Sequence, residues 1–200
     1  MGKRSDFEKK PNDYYPTPLA AVKPLSPFLP LTFTFVEPCA GDGRLVEHIK
    51  SIRRNSTCSY ACDIEPQVDW VEVGDALNMS LTYSPDFIIT NPPWSRDKKS
   101  DYVLHRMIET FSRIAPTWLL FDADWAQTKQ ATPYLDLLVC TVSVGRVKWI
   151  EDSKTSGKDN CQWYFFSKDA NKRRGMVPLF FGRDKEPFST QNMFEGKFVQ

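Results

Sequence analysis

Residues 32–49 read TFTFVEPCAGDGRLVEHI. The apolar, β-branched run from Thr32 to Val36 predicts a buried strand. Gly41 and Gly43 break it. From Arg44 to Arg54, Leu45, His48, Ile49 and Ile52 recur at helical spacing, and basic residues gather at the end, where the helix dipole favours them. Strand, glycine turn, helix is the opening unit of an open α/β sheet, and in such sheets ligands bind beyond the carboxyl ends of the strands. The two glycines permit positive φ and close approach of backbone to ligand. Alone they are a weak sign, because many strand–helix turns need a glycine.

Downstream, the pattern repeats. Ser59 to Ile64 predicts a second strand and Trp70 to Val73 a short third. Asp86 to Thr90 predicts a fourth, stopped by Pro92-Pro93. Tyr102 to Ile114 is amphipathic, with Leu104, Met107, Ile108 and Phe111 on one helical face. Trp118 to Phe121 predicts a fifth strand, and Ala126 to Val139 a partly helical segment. Val142 to Ile150 and Gln162 to Phe166 flank the polar stretch 151–160, which is a hairpin signal. Upstream, residues 1–30 hold Pro11, Pro16, Pro18, Pro24, Pro27 and Pro30, which predicts an irregular arm with one short helix near Leu19 to Val22. The chain therefore divides into an arm (1–30), a sheet domain (31–167) and a basic, then aromatic tail (168–200). Strands alternating with helices mean a mostly parallel sheet with helices on both faces, into which the closing hairpin adds an antiparallel strand.

Composition narrows the class. At 200 residues, one domain can bury about 70% of its unfolded surface. Hydrophobic residues at 41% and charged residues at 26% are globular values, against disorder or a fibre. The longest apolar runs, such as Trp118 to Phe121, fall far short of a membrane span. The polar start predicts no secretory signal, and Asp6 stands where myristoylation needs Ser or Thr. The 26 basic residues nearly match the 25 acidic ones, so net charge neither demands nor excludes nucleic acid. Five cysteines and two histidines show no metal-ligand spacing, so free thiols in a reducing cytoplasm and no metal are expected.

Three further signals fall at predicted strand ends. Asp63 closes the second strand, where a carboxylate can accept both hydroxyls of a ribose. In Gly74-Asp75-Ala76, after the third, Asp75 can accept from an adenine amine while Ala76 donates its backbone N–H. Either aspartate alone is more often a turn residue or cap. Thr90-Asn91-Pro92-Pro93-Trp94 follows the fourth strand. Two prolines stiffen the backbone and remove two donors, leaving the Asn91 amide and a carbonyl as acceptors beside an aromatic ring. That set suits a planar ring bearing an NH₂ group.

These residues together resemble the class I S-adenosylmethionine-dependent methyltransferases that act on exocyclic amines, above all the small phage-type adenine-N6 DNA methyltransferases. The resemblance runs from about Tyr14 to Phe166. It implies a Rossmann-like class I methyltransferase fold, a seven-stranded mostly parallel sheet with a C-terminal antiparallel hairpin. It implies that Glu37, Pro38, Ala40, Gly41 and Gly43 hold the methionine part of the cofactor. Asp63 and Ile64 then take its ribose, Asp75 and Ala76 its adenine, and Tyr14, Tyr15, Pro16 and Thr17 lie over it. Asn91, Pro92, Pro93 and Trp94 are the implied catalytic site, with Asn91 also beside the cofactor. Two further stretches, 120–125 and 145–149, also resemble phage relatives. The implied product is S-adenosylhomocysteine, and the implied setting is a bacterial host cytoplasm if the chain is phage-encoded. One departure is Glu37-Pro38, where Phe or Asp-Pro is commoner.

Competing substrates separate by single residues. Cytosine-C5 chemistry needs a Pro-Cys nucleophile, and the one Pro-Cys here, Pro38-Cys39, is in the cofactor loop. Relatives that methylate cytosine N4 usually carry Ser where Asn91 stands. Protein glutamine methyltransferases share the Asn-Pro-Pro-aromatic loop but usually carry a folded helical N-terminal domain. RNA adenine stays open, as does a binder of S-adenosylmethionine without catalysis, although a pure binder has no use for an amine clamp. For DNA, the expected phosphate contacts are Lys98, Lys99, Lys168, Lys172, Arg173 and Arg174.

Overall fold

A computed structural model describes residues 14–94, 103–150, 156–157, 159–169 and 179–181. Asp13, Lys98, Lys99, Lys172, Arg173 and Arg174 lie outside them. In chain order the elements are α1 (Leu19–Val22), β1 (Thr32–Glu37), α2 (Arg44–Ile52), β2 (Asn55–Asp63), β3 (Glu72–Val73), β4 (Phe87–Thr90), α3 (Val103–Ile114), β5 (Thr117–Asp122), β6 (Leu138–Gly145), β7 (Cys161–Phe166) and β8 (Leu179–Phe181), with 3-10 turns between. One sheet carries all the strands in the order β3-β2-β1-β4-β5-β7-β6-β8. β1, β2, β3, β4 and β5 are parallel, and β7 runs antiparallel between β5 and β6. The expected mostly parallel sheet with its closing hairpin is present. Within the expected tail, Leu179–Phe181 adds a further strand parallel to β6.

Strand alternation builds two cores. Phe33, Phe35, Phe87, Ile89, Trp118, Leu120, Trp163 and Phe165 face the layer that holds α1 and α2. Their neighbours Val36, Ile88, Leu119, Phe121, Tyr164 and Phe166 face α3. A central strand covered on both faces must be apolar at every position, which is why β4 and β7 are buried throughout. Leu45, Val46 and Ile49 turn one face of α2 inward, and Leu104, Met107, Ile108 and Phe111 do so for α3.

Three expectations need correction. The second strand is Asn55–Asp63, not Ser59 to Ile64. The third strand is Glu72–Val73, not Trp70 to Val73, and Trp70 stands half exposed before it. The sixth is Leu138–Gly145, not Val142 to Ile150. Gly145 adopts φ +79°, a left-handed turn that ends the strand, and the preceding segment is 3-10 rather than α, with Pro133 inside it.

Candidate functional site

The registers place the last residues of β1, β2 and β4 side by side at one end of the sheet. Between β1 and α2 the chain passes through Gly41 (φ +52°) and Gly43 (φ +76°), both left-handed and both buried. What approaches these glycines is protein. A Cβ on Gly41 would stand 2.7 Å from the Tyr14 ring, and one on Gly43 would stand 1.9 Å from the Trp70 ring. The sequence places Tyr14 here but gives no sign of Trp70, because a lone aromatic in a loop carries no periodic signal. The phenol of Tyr14 is raised to about 12 by burial and by its hydrogen bond to Asp42.

The two strand-end aspartates act as caps. Asp63 Oδ2 accepts from the Gly41 amide at 2.8 Å and Oδ1 from the Glu65 amide at 2.9 Å. It thus ties the end of β2 to the glycine loop. Asp75 Oδ1 accepts from the Leu77 amide at 2.9 Å and Oδ2 from the Asn78 side chain at 2.7 Å. Each carboxylate oxygen keeps a lone pair for a further donor. Ile64 is 61% exposed between them in sequence, and Ala76 is buried. Two carboxylates with spare lone pairs and an exposed apolar side chain follow these strand ends, and at the start of α2 the Arg44 amide donates to the Asp42 carboxylate at 3.1 Å.

Asn91 is held at both ends of its amide. Its Nδ2 donates to the Tyr15 carbonyl at 3.3 Å and to Thr17 Oγ1 at 3.2 Å, both in the N-terminal arm. Its Oδ1 accepts from Trp94 Nε1 at 3.2 Å. A carbonyl can only accept and an indole N–H can only donate, so these partners fix which end of the amide is oxygen. Trp94 Nε1 also donates to the Leu120 carbonyl at 3.1 Å, and its ring meets Trp149 edge-on, centroids 5.6 Å apart at 86°. Pro92 is buried and Pro93 half-buried. The arm residues Tyr15 and Thr17 therefore reach the loop from Asn91 to Trp94, across sequence separations of 76 and 74 positions that conceal the pairing.

Beneath the loop, Glu37 is fully buried. Its Oε1 accepts from the Cys39 amide at 3.2 Å. Its Oε2 and the neighbouring Thr90 hydroxyl lack a well-formed hydrogen bond among the described residues. Burial raises the Glu37 acid to about 8, and the Asp63 charge pushes in the same direction.

Lys168 is exposed directly after β7. Phe166 pairs with Thr117, the first residue of β5, so Lys168 stands at the end of the sheet opposite Asn91. The structure does not bring it to the site. No group of metal-ligating side chains occurs among the described residues, their helices include none long and apolar enough to cross a membrane, and all five cysteines are free.

No protein-family model and no curated protein sequence matches the chain. Solved structures do. A Listeria monocytogenes protein assigned to the class I S-adenosylmethionine-dependent methyltransferases matches 80% of this chain over 62% of its own, at 11% identity and TM-score 0.55. A protein from Vibrio vulnificus assigned as a modification subunit of a type I restriction enzyme matches 94% of this chain over 54% of its own, at 10% identity and TM-score 0.54. A dimethyladenosine transferase from Plasmodium falciparum matches 80% over 65%, at 13% identity and TM-score 0.50. The chain spans between half and two thirds of the length of these structures, and its fold is the Rossmann-like fold of class I methyltransferases.

Proposed function

We propose that this protein transfers a methyl group from S-adenosylmethionine to the exocyclic N6 amine of adenine in DNA. One observation carries the reading. Asn91 has two donor hydrogens and two acceptor lone pairs; among the described residues the arm takes both donors and Trp94 one lone pair. What is left is a single acceptor. A group bound there must donate, so an amine is accepted and a ring carbonyl is refused.

S-adenosylmethionine supplies a methyl group made electrophilic by the attached sulfonium. In this reading Asp63 holds the ribose hydroxyls, Asp75 and Ala76 the adenine edge, and Pro38, Ala40, Gly41 and Gly43 the methionine end, with Tyr14, Tyr15, Pro16 and Ile64 alongside, while Glu37, fully buried, supports the loop from beneath instead of touching the cofactor. Asn91 Oδ1 and the Pro92 carbonyl accept from the substrate amine and turn its lone pair toward the methyl, which is catalysis by positioning. Pro93 keeps the backbone rigid and Trp94 faces the base. No ionisable base is needed, because the amine loses its proton after transfer. An adenine in a duplex must first be flipped out, at a cost of a few kcal/mol.

An acceptor-only Asn91 suits adenine in RNA and cytosine N4 as well. The resemblance over residues 14–166 favours adenine in DNA, and two structures of this fold are named for a restriction-modification subunit and for adenosine dimethylation. The test is incubation of unmethylated DNA and RNA with labelled cofactor, followed by nucleoside mass spectrometry. N6-methyladenine in DNA is expected, and Asn91→Ala should abolish it while leaving cofactor binding nearly intact by calorimetry. Label confined to RNA or cytosine, or equal turnover in Asn91→Ala, overturns the assignment.

A further inference from the structure

β6 ends at Gly145, at the same end of the sheet as Asn91, because Gly145 pairs with Cys161 and Cys161 with Asp122, the last residue of β5. The left-handed turn at Gly145 sends the chain out of the sheet there. Exposure then alternates: Arg146 is exposed, Val147 buried, Lys148 exposed and Trp149 half-buried. The inward pair anchors the segment. Trp149 packs edge-to-face against Trp94 of the catalytic loop. The Gly157 amide donates to the Val147 carbonyl at 2.8 Å, and a Cβ on Gly157 would stand 3.1 Å from the Trp149 ring. The two cations are thus carried outward on a lip fastened to the amine clamp. Neither has an ion-pair or hydrogen-bond partner among the described residues. Asp122 at the same end turns one oxygen back onto the Asp124 amide at 2.9 Å.

We infer that Arg146 and Lys148 are phosphate contacts that hold the backbone of the nucleic acid whose base enters the Asn91 site. The inference rests on the methyl-transfer reading above and replaces Lys168, on the far side of the sheet, as the first such residue to seek. A base seated at Asn91 brings its own flanking phosphates to the rim of that site, and exposed cations fixed to the rim meet them without reading sequence. Arginine offers a planar fork to phosphate oxygens and lysine a point charge.

The experiment measures duplex DNA affinity against salt for the parent chain, for Arg146→Gln/Lys148→Gln, which keeps the side-chain stems, and for Lys168→Gln. Neutralising one cation that binds a phosphate flattens the slope of log affinity against log salt by about 0.9. The double variant should therefore flatten it by about 1.8 and raise the KM for DNA, with the methylated sequence unchanged. Lys168→Gln should keep the parent slope. A double variant with the parent slope that still methylates DNA overturns the inference and leaves the function standing. A double variant that methylates different sequences shows base reading and also overturns it. A parent chain that binds S-adenosylmethionine but methylates no nucleic acid overturns both.

Discussion

Asn91 shows how much a single side chain takes from its surroundings. In the methyl-transfer reading its oxygen meets the substrate because its nitrogen is occupied by the arm. Thr17→Val removes Oγ1 at nearly constant shape. It should slow single-turnover methyl transfer by about tenfold, the rate equivalent of about 1.4 kcal/mol and near the top of the range for one net hydrogen bond. Thr17→Ser should recover most of the rate. If cofactor affinity by calorimetry falls in step with the rate, Thr17 serves the cofactor instead. Asp63→Ala should weaken cofactor binding by roughly 1–3 kcal/mol, since it removes an acceptor and also frees the Gly41 amide that the carboxylate holds. An unchanged dissociation constant would remove Asp63 from the site. The pentapeptide from Thr90 to Trp94 is legible in the sequence because its parts are consecutive and two adjacent prolines fit few backbones. The hold of Tyr15 and Thr17 on Asn91 is not, since nothing in either segment marks the other.

At the scale of elements, strands flanked by strong turn signals are readable. β1 and β4 fall within a residue of expectation because a glycine loop and a proline pair end them. The start of β6 is hidden because Leu137, Leu138 and Val139 continue an apolar run that a helix or a strand could equally use. Pro133 and the Thr128 cap, which accepts from the Ala131 amide, settle the preceding segment as 3-10. The glycine loop owes its shape to neighbours that no local pattern encodes. Gly43→Ala meets two separate penalties there: a left-handed backbone, worth about 1–2 kcal/mol for a side-chain-bearing residue, and overlap with Trp70, worth about 1–3 kcal/mol as overpacking. Urea midpoints should show the Gly43→Ala destabilisation partly relieved in a Trp70→Ala background, where only the backbone penalty persists. Equal destabilisation in both backgrounds would mean that Trp70 moves aside freely.

The molecule as a whole bears the consequence of its buried acid. Unfolded, Glu37 ionises near 4.5; folded, it holds its proton to about 8. Between these values the folded state binds the extra proton, so stability falls as pH rises through the window and levels off above it. His48, lowered by burial and Arg44, acts in the opposite sense around its ordinary 6.5. Urea unfolding of Glu37→Gln beside the parent isolates the acid: the parent should lose stability across the window relative to the variant. Parallel pH profiles would show that Glu37 is ionised in the fold. Sheet order has a further consequence, in time rather than space. β7, buried at all six positions, fills the gap between β5 and β6, yet it is the last of the three to be made. While a ribosome works toward residue 161, β5 and β6 are two bare edges awaiting one strand, and such edges recruit other chains. Synthesis therefore exposes this protein to misassembly until Phe166 clears the exit tunnel, and a nascent chain stalled at residue 150 should remain protease-sensitive where one stalled well beyond residue 169 has closed.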